Sequence, residues 1–269
     1  MTIRRILVLG GGDVGSAVAH RLFRLGLNVL VSERAGSTHA RRGMAFTDAL
    51  FEGRAVLDGV AASWQTDIEA VQQCWQRRDA VPIVTLPETL ICAALVFDVV
   101  VEATMRRNQP QPDLRALAPL TIGLGPGYVP QQNCHVAVET QWGAAMGEVL
   151  RERPAAPRSG GPYALGGAGR ERFAIAPEAG TWHTARRLGQ AVAQGDELGR
   201  VGAHAIRAPL PGYLRGVAHD GVEVRAGQRI AEVDPRDEPQ IFGLGERPQA
   251  IAAGVVEALG LAATAERAP

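Results

Sequence analysis

The sequence predicts an α/β protein in two parts. A mostly parallel sheet fills the first half, and an all-β domain made of two repeats fills the second. Three observations carry this. The apolar run Ile6-Leu7-Val8-Leu9 enters the glycine turn Gly10-Gly11-Gly12-Asp13-Val14-Gly15, and a helix-like pattern leaves it. Residues 176–201 and 208–233 align without a gap at an offset of 32. Between the halves, from Arg151 to Gly169, the composition shifts to Pro, Gly, Ala and Arg, which marks a linker. The expected division is a first domain over 1–150, a linker over 151–172, the repeat domain over 173–236 and a C-terminal helix within 237–269 that packs back.

The glycine turn comes first. Gly10, Gly12 and Gly15 have the G-x-G-x-x-G spacing in the strand–turn–helix context that it requires, which makes the first domain Rossmann-like. The first glycine permits the tight turn, the second lets a phosphate reach the backbone, and the third lets helix pack on strand. Exposed N–H groups at that helix start attract an anion. Gly10, Gly11, Gly12, Asp13 and Gly15 are therefore candidate cofactor-binding residues. Val14, Val18, Leu22 and Leu25 continue at helical spacing to Gly26. Asn28–Ser32 reads as the second strand and ends before Glu33, where such folds carry an acid for ribose hydroxyls. A solvated acid is the plainer alternative. Arg41 and Arg42 are candidate phosphate forks, or a solvated helix start.

Asp58-Gly59 between two apolar runs predicts a hairpin inserted into the first domain. Thr66-Asp67-Ile68-Glu69 has capping-box spacing ahead of a helix. Val81–Leu86 and Val96–Val101 read as strands. The second ends at Glu102, an acid at the carboxyl edge that could equally bond a neighbouring loop. A second glycine turn, Gly123-Leu124-Gly125-Pro126-Gly127, follows a short apolar run, and its N–H groups could form an anion-binding concavity. From Cys134 to Thr140 the pattern alternates, putting His135 and Glu139 on one face as a candidate acid/base or ligand-binding pair. Cys134 beside His135 suggests a thiolate for sulfur transfer, or an inert buried cysteine. No residue is assigned as catalytic and no metal is assigned.

Composition narrows the classes. The chain has 28 basic and 28 acidic residues, and every basic residue is arginine. With net charge +0 and no basic patch, nucleic acid and anionic membrane are not expected partners. The three cysteines form no C-x-x-C pair, which suits a reducing compartment. The longest apolar stretch, Leu90–Val101, is too short to span a bilayer and contains Asp98. A cytoplasmic protein is expected, with self-association left open.

In the second half, Ala176-Pro177, Gly180, Gly189, Val192, Gly195 and Val201 match Ala208-Pro209, Gly212, Gly221, Val224, Gly227 and Val233. Each copy reads as strands separated by glycine turns, and neither could bury its apolar face alone. The pattern resembles the barrel-sandwich hybrid of biotinyl and lipoyl carriers. Those attach their cofactor to a lysine at the hairpin between copies. Here the hairpin is Gly202-Ala203-His204-Ala205, so no covalent biotin or lipoate is expected.

The order of pieces along nearly the whole chain resembles the YqeB-type accessory proteins of selenium-dependent molybdenum hydroxylases. The matching pieces include Gly10–Asp13, Val18–Leu22, Arg41-Arg42, Arg107-Asn108, Ile122–Gly127, His135 with Glu139-Thr140, the repeat, and Asp234-Pro235-Arg236. The resemblance implies a maturation or insertion factor, a role more than a reaction, chaperone-like, whose partner is a xanthine-dehydrogenase-like molybdenum hydroxylase. Its ligand would be molybdopterin or the dinucleotide form. Two alternatives stand beside it: an NAD(P)-dependent oxidoreductase, and a ligand-binding scaffold without turnover.

Overall fold

The computed structural model describes residues 3–105, 110–157 and 160–261. The Arg107-Asn108 motif and part of the linker lie outside them. Two compact units result. One comprises Met1–Ala35, Ala45–Arg158 and Leu244–Pro269, and the other Gly36–Met44 and Ser159–Gly243.

The first unit contains β1 (Arg5–Leu9), α1 (Asp13–Arg24), β2 (Asn28–Ser32), α2 (Ala49–Glu52), β3 (Arg54–Leu57), β4 (Val60–Trp64), α3 (Ile68–Arg77), β5 (Val81–Val84), α4 (Glu88–Ala94), β6 (Val99–Glu102), β7 (Leu120–Leu124), β8 (Val136–Val138) and β9 (Val149–Leu150). These strands form one nine-stranded sheet in the order β3-β4-β5-β2-β1-β6-β7-β8-β9. From β4 to β8 neighbours run parallel, while β3 on β4 and β9 on β8 are antiparallel. From β1 the chain passes through β2 to the edge hairpin β3–β4, returns with β5 between β4 and β2, then restarts beside β1 with β6 and builds the other way.

Alternation along β1 explains the layers. Ile6 and Val8 face one core with Val14, Val18 and Leu22 of α1. Leu7 and Leu9 face the opposite core with Val71, Trp75 and Ile91 of α3 and α4. Both faces are covered, so the central strands read as continuous apolar runs. The α3 start differs from the capping-box expectation. Asp67 caps it, its Oδ1 accepting from Ala70 N at 2.8 Å.

The second unit contains β10 (Phe173–Ile175), β11 (Gly180–His183), β12 (Ala191–Val192), β13 (Glu197–Val201), β14 (His204–Arg207), β15 (Gly212–Val217), β16 (Glu223–Val224) and β17 (Arg229–Asp234). They form two four-stranded sheets, β10-β17-β15-β12 and β14-β13-β11-β16. The first repeat supplies β11, β12 and β13, and the second β15, β16 and β17. The short strand of each copy crosses into the sheet of the other, β12 onto β15 and β16 onto β11. Trp182, Leu198, Val201, Leu214, Ile230 and Val233 share one core.

The last helix, α5 (Glu246–Ala258), returns to the first unit, where Ile251, Val255 and Val256 join the core that α1 faces. An added Cβ on Gly254 would lie 2.0 Å from the Gly147 carbonyl oxygen, so the helix sits directly on that loop.

The expected fold class is corrected. The large sheet is mixed, closed at both ends by antiparallel strands, and is not a plain Rossmann sheet. The expected two-repeat barrel-sandwich is corrected as well, because the antiparallel sheets are not made of repeat strands alone. Each sheet draws strands from both copies and adds β10 or β14, and the unit also takes in 36–44 from the first half of the chain. The physical reason is strand count: three strands per copy, one only two residues long, cannot complete a sheet alone.

Candidate functional site

The site grows from the end of β1. Gly10 has φ 101°, and an added Cβ there would lie 2.8 Å from Thr104 Cα and N. Only glycine allows that conformation and that approach at once. A Cβ on Gly15 would lie 1.8 Å from the Gly10 carbonyl oxygen, so α1 packs straight onto the turn. Gly12 precedes α1 in extended conformation, and no side chain caps the helix start. Ser16 fixes the turn from inside: its Oγ donates to Gly11 O and accepts from Phe46 N, both at 2.8 Å.

Glu33 reaches the turn. Its Oε2 accepts from Gly11 N and its Oε1 from Arg34 N, both at 2.8 Å. Asp13 is buried in the first turn of α1. A carboxylate and a phosphate both accept, so Asp13 is not a phosphate contact. Its charge is stabilised by the helix start instead.

Glu102 ends β6, next to β1 and β7, in register with Leu9 and Gly123. It is 1% exposed. Its Oε1 accepts from Thr104 N at 3.1 Å and from the Thr104 hydroxyl, and its Oε2 accepts from the Tyr128 hydroxyl at 2.7 Å. This cluster lies at the carboxyl edge between the two glycine turns. The sequence marked Glu102 by its place at a strand end. Tyr128 carried no signal beyond following Gly-Pro-Gly.

The second glycine turn is closed by packing. Gly123 makes room for the Tyr128 ring, since a Cβ there would lie 2.1 Å from Tyr128 Cγ. Gly125 (φ 88°) donates its N–H to Val138 O at 3.0 Å, and Pro126 has none to offer. Gly127 (φ 87°) lies under Gln111, whose Nε2 donates to Pro126 O at 3.1 Å. Gly125 and Pro126 therefore supply no N–H to the expected concavity, and Gly123, Gly125 and Gly127 serve close approach.

His135 and Glu139 are not a pair. His135 Nδ1 accepts from Thr121 N at 3.1 Å, at the amino end of β7, and lies 2.9 Å from Thr121 Oγ1. Glu139 lies beyond the other end of β8, about 13 Å along an extended chain. Its carboxylate accepts from Thr140 N, Gln141 N and Ala156 N at 2.7–2.8 Å. Same-face residues four apart on a strand are too far to share a proton or ligand. Burial pushes the Cys134 thiol up to about 11, which removes the thiolate that sulfur transfer would need.

Arg41 and Arg42 belong to the second unit. Arg41 Nε pairs with Glu232 at 3.3 Å. Arg42 Nε donates to Val217 O at 2.8 Å, and its Nη1 lies 2.9 Å from His219 Nε2. Glu232 also meets Arg172 Nε at 3.0 Å and Arg215 Nη1 at 3.2 Å. Burial would push the Glu232 carboxyl up. The surrounding arginines outweigh burial and hold it below its usual range. These arginines serve the second unit's interior. Nothing in the sequence marked Glu232 as their partner.

No family model matches. The chain is 34% identical over 256 residues, 94% of its length, to the uncharacterized protein YqeB of Escherichia coli (strain K12). Over those residues the chain is YqeB-like. It spans 47% of that relative's length. Among solved structures, the ectoine utilization protein EutE (DoeB) of Ruegeria pomeroyi is 13% identical with a TM-score of 0.27, covering 87% of each chain. An aspartoacylase family protein of Mesorhizobium loti is 13% identical with a TM-score of 0.29, covering 88% of this chain and 87% of its own.

The expected molybdenum-hydroxylase role is corrected. The solved structures matching along most of the chain carry aspartoacylase and desuccinylase names, and none of these names a maturation factor, a selenium system or a chaperone. The leaning against an enzyme is corrected on the same finding. TM-scores below 0.3 transfer no hydrolase chemistry in their place. Among the described residues, no helix is long and apolar enough to cross a membrane.

Proposed function

We propose that the chain binds a nucleotide diphosphate in the crevice at the carboxyl ends of β1 and β6, with NAD as the best-fitting type. One observation carries the reading. Sheet order reverses at β1 and β6, where open α/β sheets bind ligands outside the strands' carboxyl ends, and the glycine turn leaves β1 there. The start of α1, without a side-chain cap, offers N–H groups and a positive dipole end to the diphosphate. Glu33, already holding Gly11, has outer lone pairs for ribose hydroxyls. Its charge repels a 2′-phosphate, which favours NAD over NADP.

Titration calorimetry with ADP-ribose, NAD and NADP tests this. Binding of ADP-ribose and NAD is expected, with NADP at least tenfold weaker. Glu33→Ala is expected to weaken ADP-ribose about tenfold, close to 1.4 kcal/mol, and to narrow the NAD/NADP difference. Absence of binding by all three sinks the reading.

A further inference from the structure

We propose that Glu102 is a positioning residue for the glycine turn, and that Tyr128 is the brace through which it acts. The inference rests on the nucleotide reading for its binding test but not for its structural one. Thr104 is the link. Its backbone lies so close to Gly10 that no Cβ fits between them, and Ala103 N donates to Leu9 O at 2.7 Å just before it. Whatever fixes Thr104 therefore fixes the turn. Glu102 does so twice, through the Thr104 N–H and hydroxyl.

The other carboxylate oxygen takes the Tyr128 hydroxyl, and the Tyr128 ring is itself seated on Gly123. One buried carboxylate thus ties the strand end beside β1 to the turn beyond β7. A carboxylate with 1% exposure is costly to bury, and its donors hold it in one geometry. An apolar residue could fill the same volume without fixing Thr104. Gly10, Gly11 and Gly12 have no side chains to hold the turn's shape, so their N–H groups are aimed by their neighbours. Thr104, Glu33 and Ser16 are among those neighbours.

The test uses the full chain with Tyr128→Phe, Glu102→Gln and the double variant. Tyr128→Phe removes one hydroxyl and leaves the ring on Gly123. Two measurements are made: ADP-ribose affinity, and amide hydrogen exchange at Gly11 and Gly12 without ligand. Each single variant is expected to weaken ADP-ribose five- to tenfold and to speed exchange at both amides. The double variant should lose little beyond Glu102→Gln, because both act through one carboxylate. A merely structural role would lower the melting temperature while leaving exchange at Gly11 and Gly12 and the affinity within twofold, and that result overturns the proposal. So do fully additive losses. If the wild type binds no nucleotide yet Tyr128→Phe loosens Gly11 and Gly12, the brace stands and the nucleotide reading falls.

Discussion

His20 shows how much a single buried ring can decide. It lies on α1, is 6% exposed, and its Nε2 is 3.2 Å from Asp58 O, while Nδ1 has no partner. Burial holds its pKa below 6.5, with Arg24 and Arg21 acting the same way against the opposing pull of Asp58. The folded chain thus refuses a proton that the unfolded chain accepts. The contribution is complete above about pH 6.5 and is lost as pH falls through the folded value. The melting temperature is expected to drop between pH 7.5 and pH 5.5, and His20→Gln should flatten that drop while keeping a donor for Asp58 O. A drop unchanged in the variant would assign the effect elsewhere. In the sequence His20 stood out only as part of the Val18–Leu22 piece of the resemblance, because one ring on a helix face carries no period. Glu33 was legible because its place after β2 is fixed by the strand–helix–strand count, and it does reach Gly11. Arg41 and Arg42 were misread because an arginine pair in a loop looks alike whether it faces solvent or a buried carboxylate.

At the scale of elements, α5 is held by the absence of side chains. Gly254→Ala would place a Cβ 2.0 Å from the Gly147 carbonyl oxygen, so helix or loop must move. A cost of about 2 kcal/mol is expected, in the range of overpacked sites, read as a lower urea midpoint at constant slope. A variant as stable as the parent would mean that the loop yields freely. The tail's stripe of Ile251 and Val255 was legible as a packing face, since its period needs no partner to be read. The glycine turns show the limit. Both were visible as turns after strands, but spacing cannot tell whether an N–H is offered outward or spent. At Gly125 it is spent on Val138 O, across a pairing between segments far apart in sequence. His135 and Glu139 failed for a related reason: alternation gives the face and not the distance along it.

For the whole molecule, the division is discontinuous. Residues 36–44 leave the first half to serve the second unit: Val217 N donates to Ala40 O at 2.8 Å, Gly243 N to Gly43 O at 3.0 Å, and Arg41 pairs with Glu232. A fragment over 160–243 therefore lacks one of the arginines that hold the Glu232 charge. It is expected to melt below the same unit in the full chain, by calorimetry, and Arg41→Ala in the full chain should move in the same direction by about 1.5 kcal/mol. Equal melting of fragment and full chain would show that 36–44 adds nothing. The tandem in the second half was legible by identity, yet the exchange of short strands was not, since alignment says which segments correspond and not which of them pair. A chain carrying one copy would offer a two-stranded sheet and a stray strand. A single-copy form of such a tandem would have to pair with a second molecule to give its short strand a sheet. Loss of either copy by in-frame deletion would now strip strands from both sheets at once.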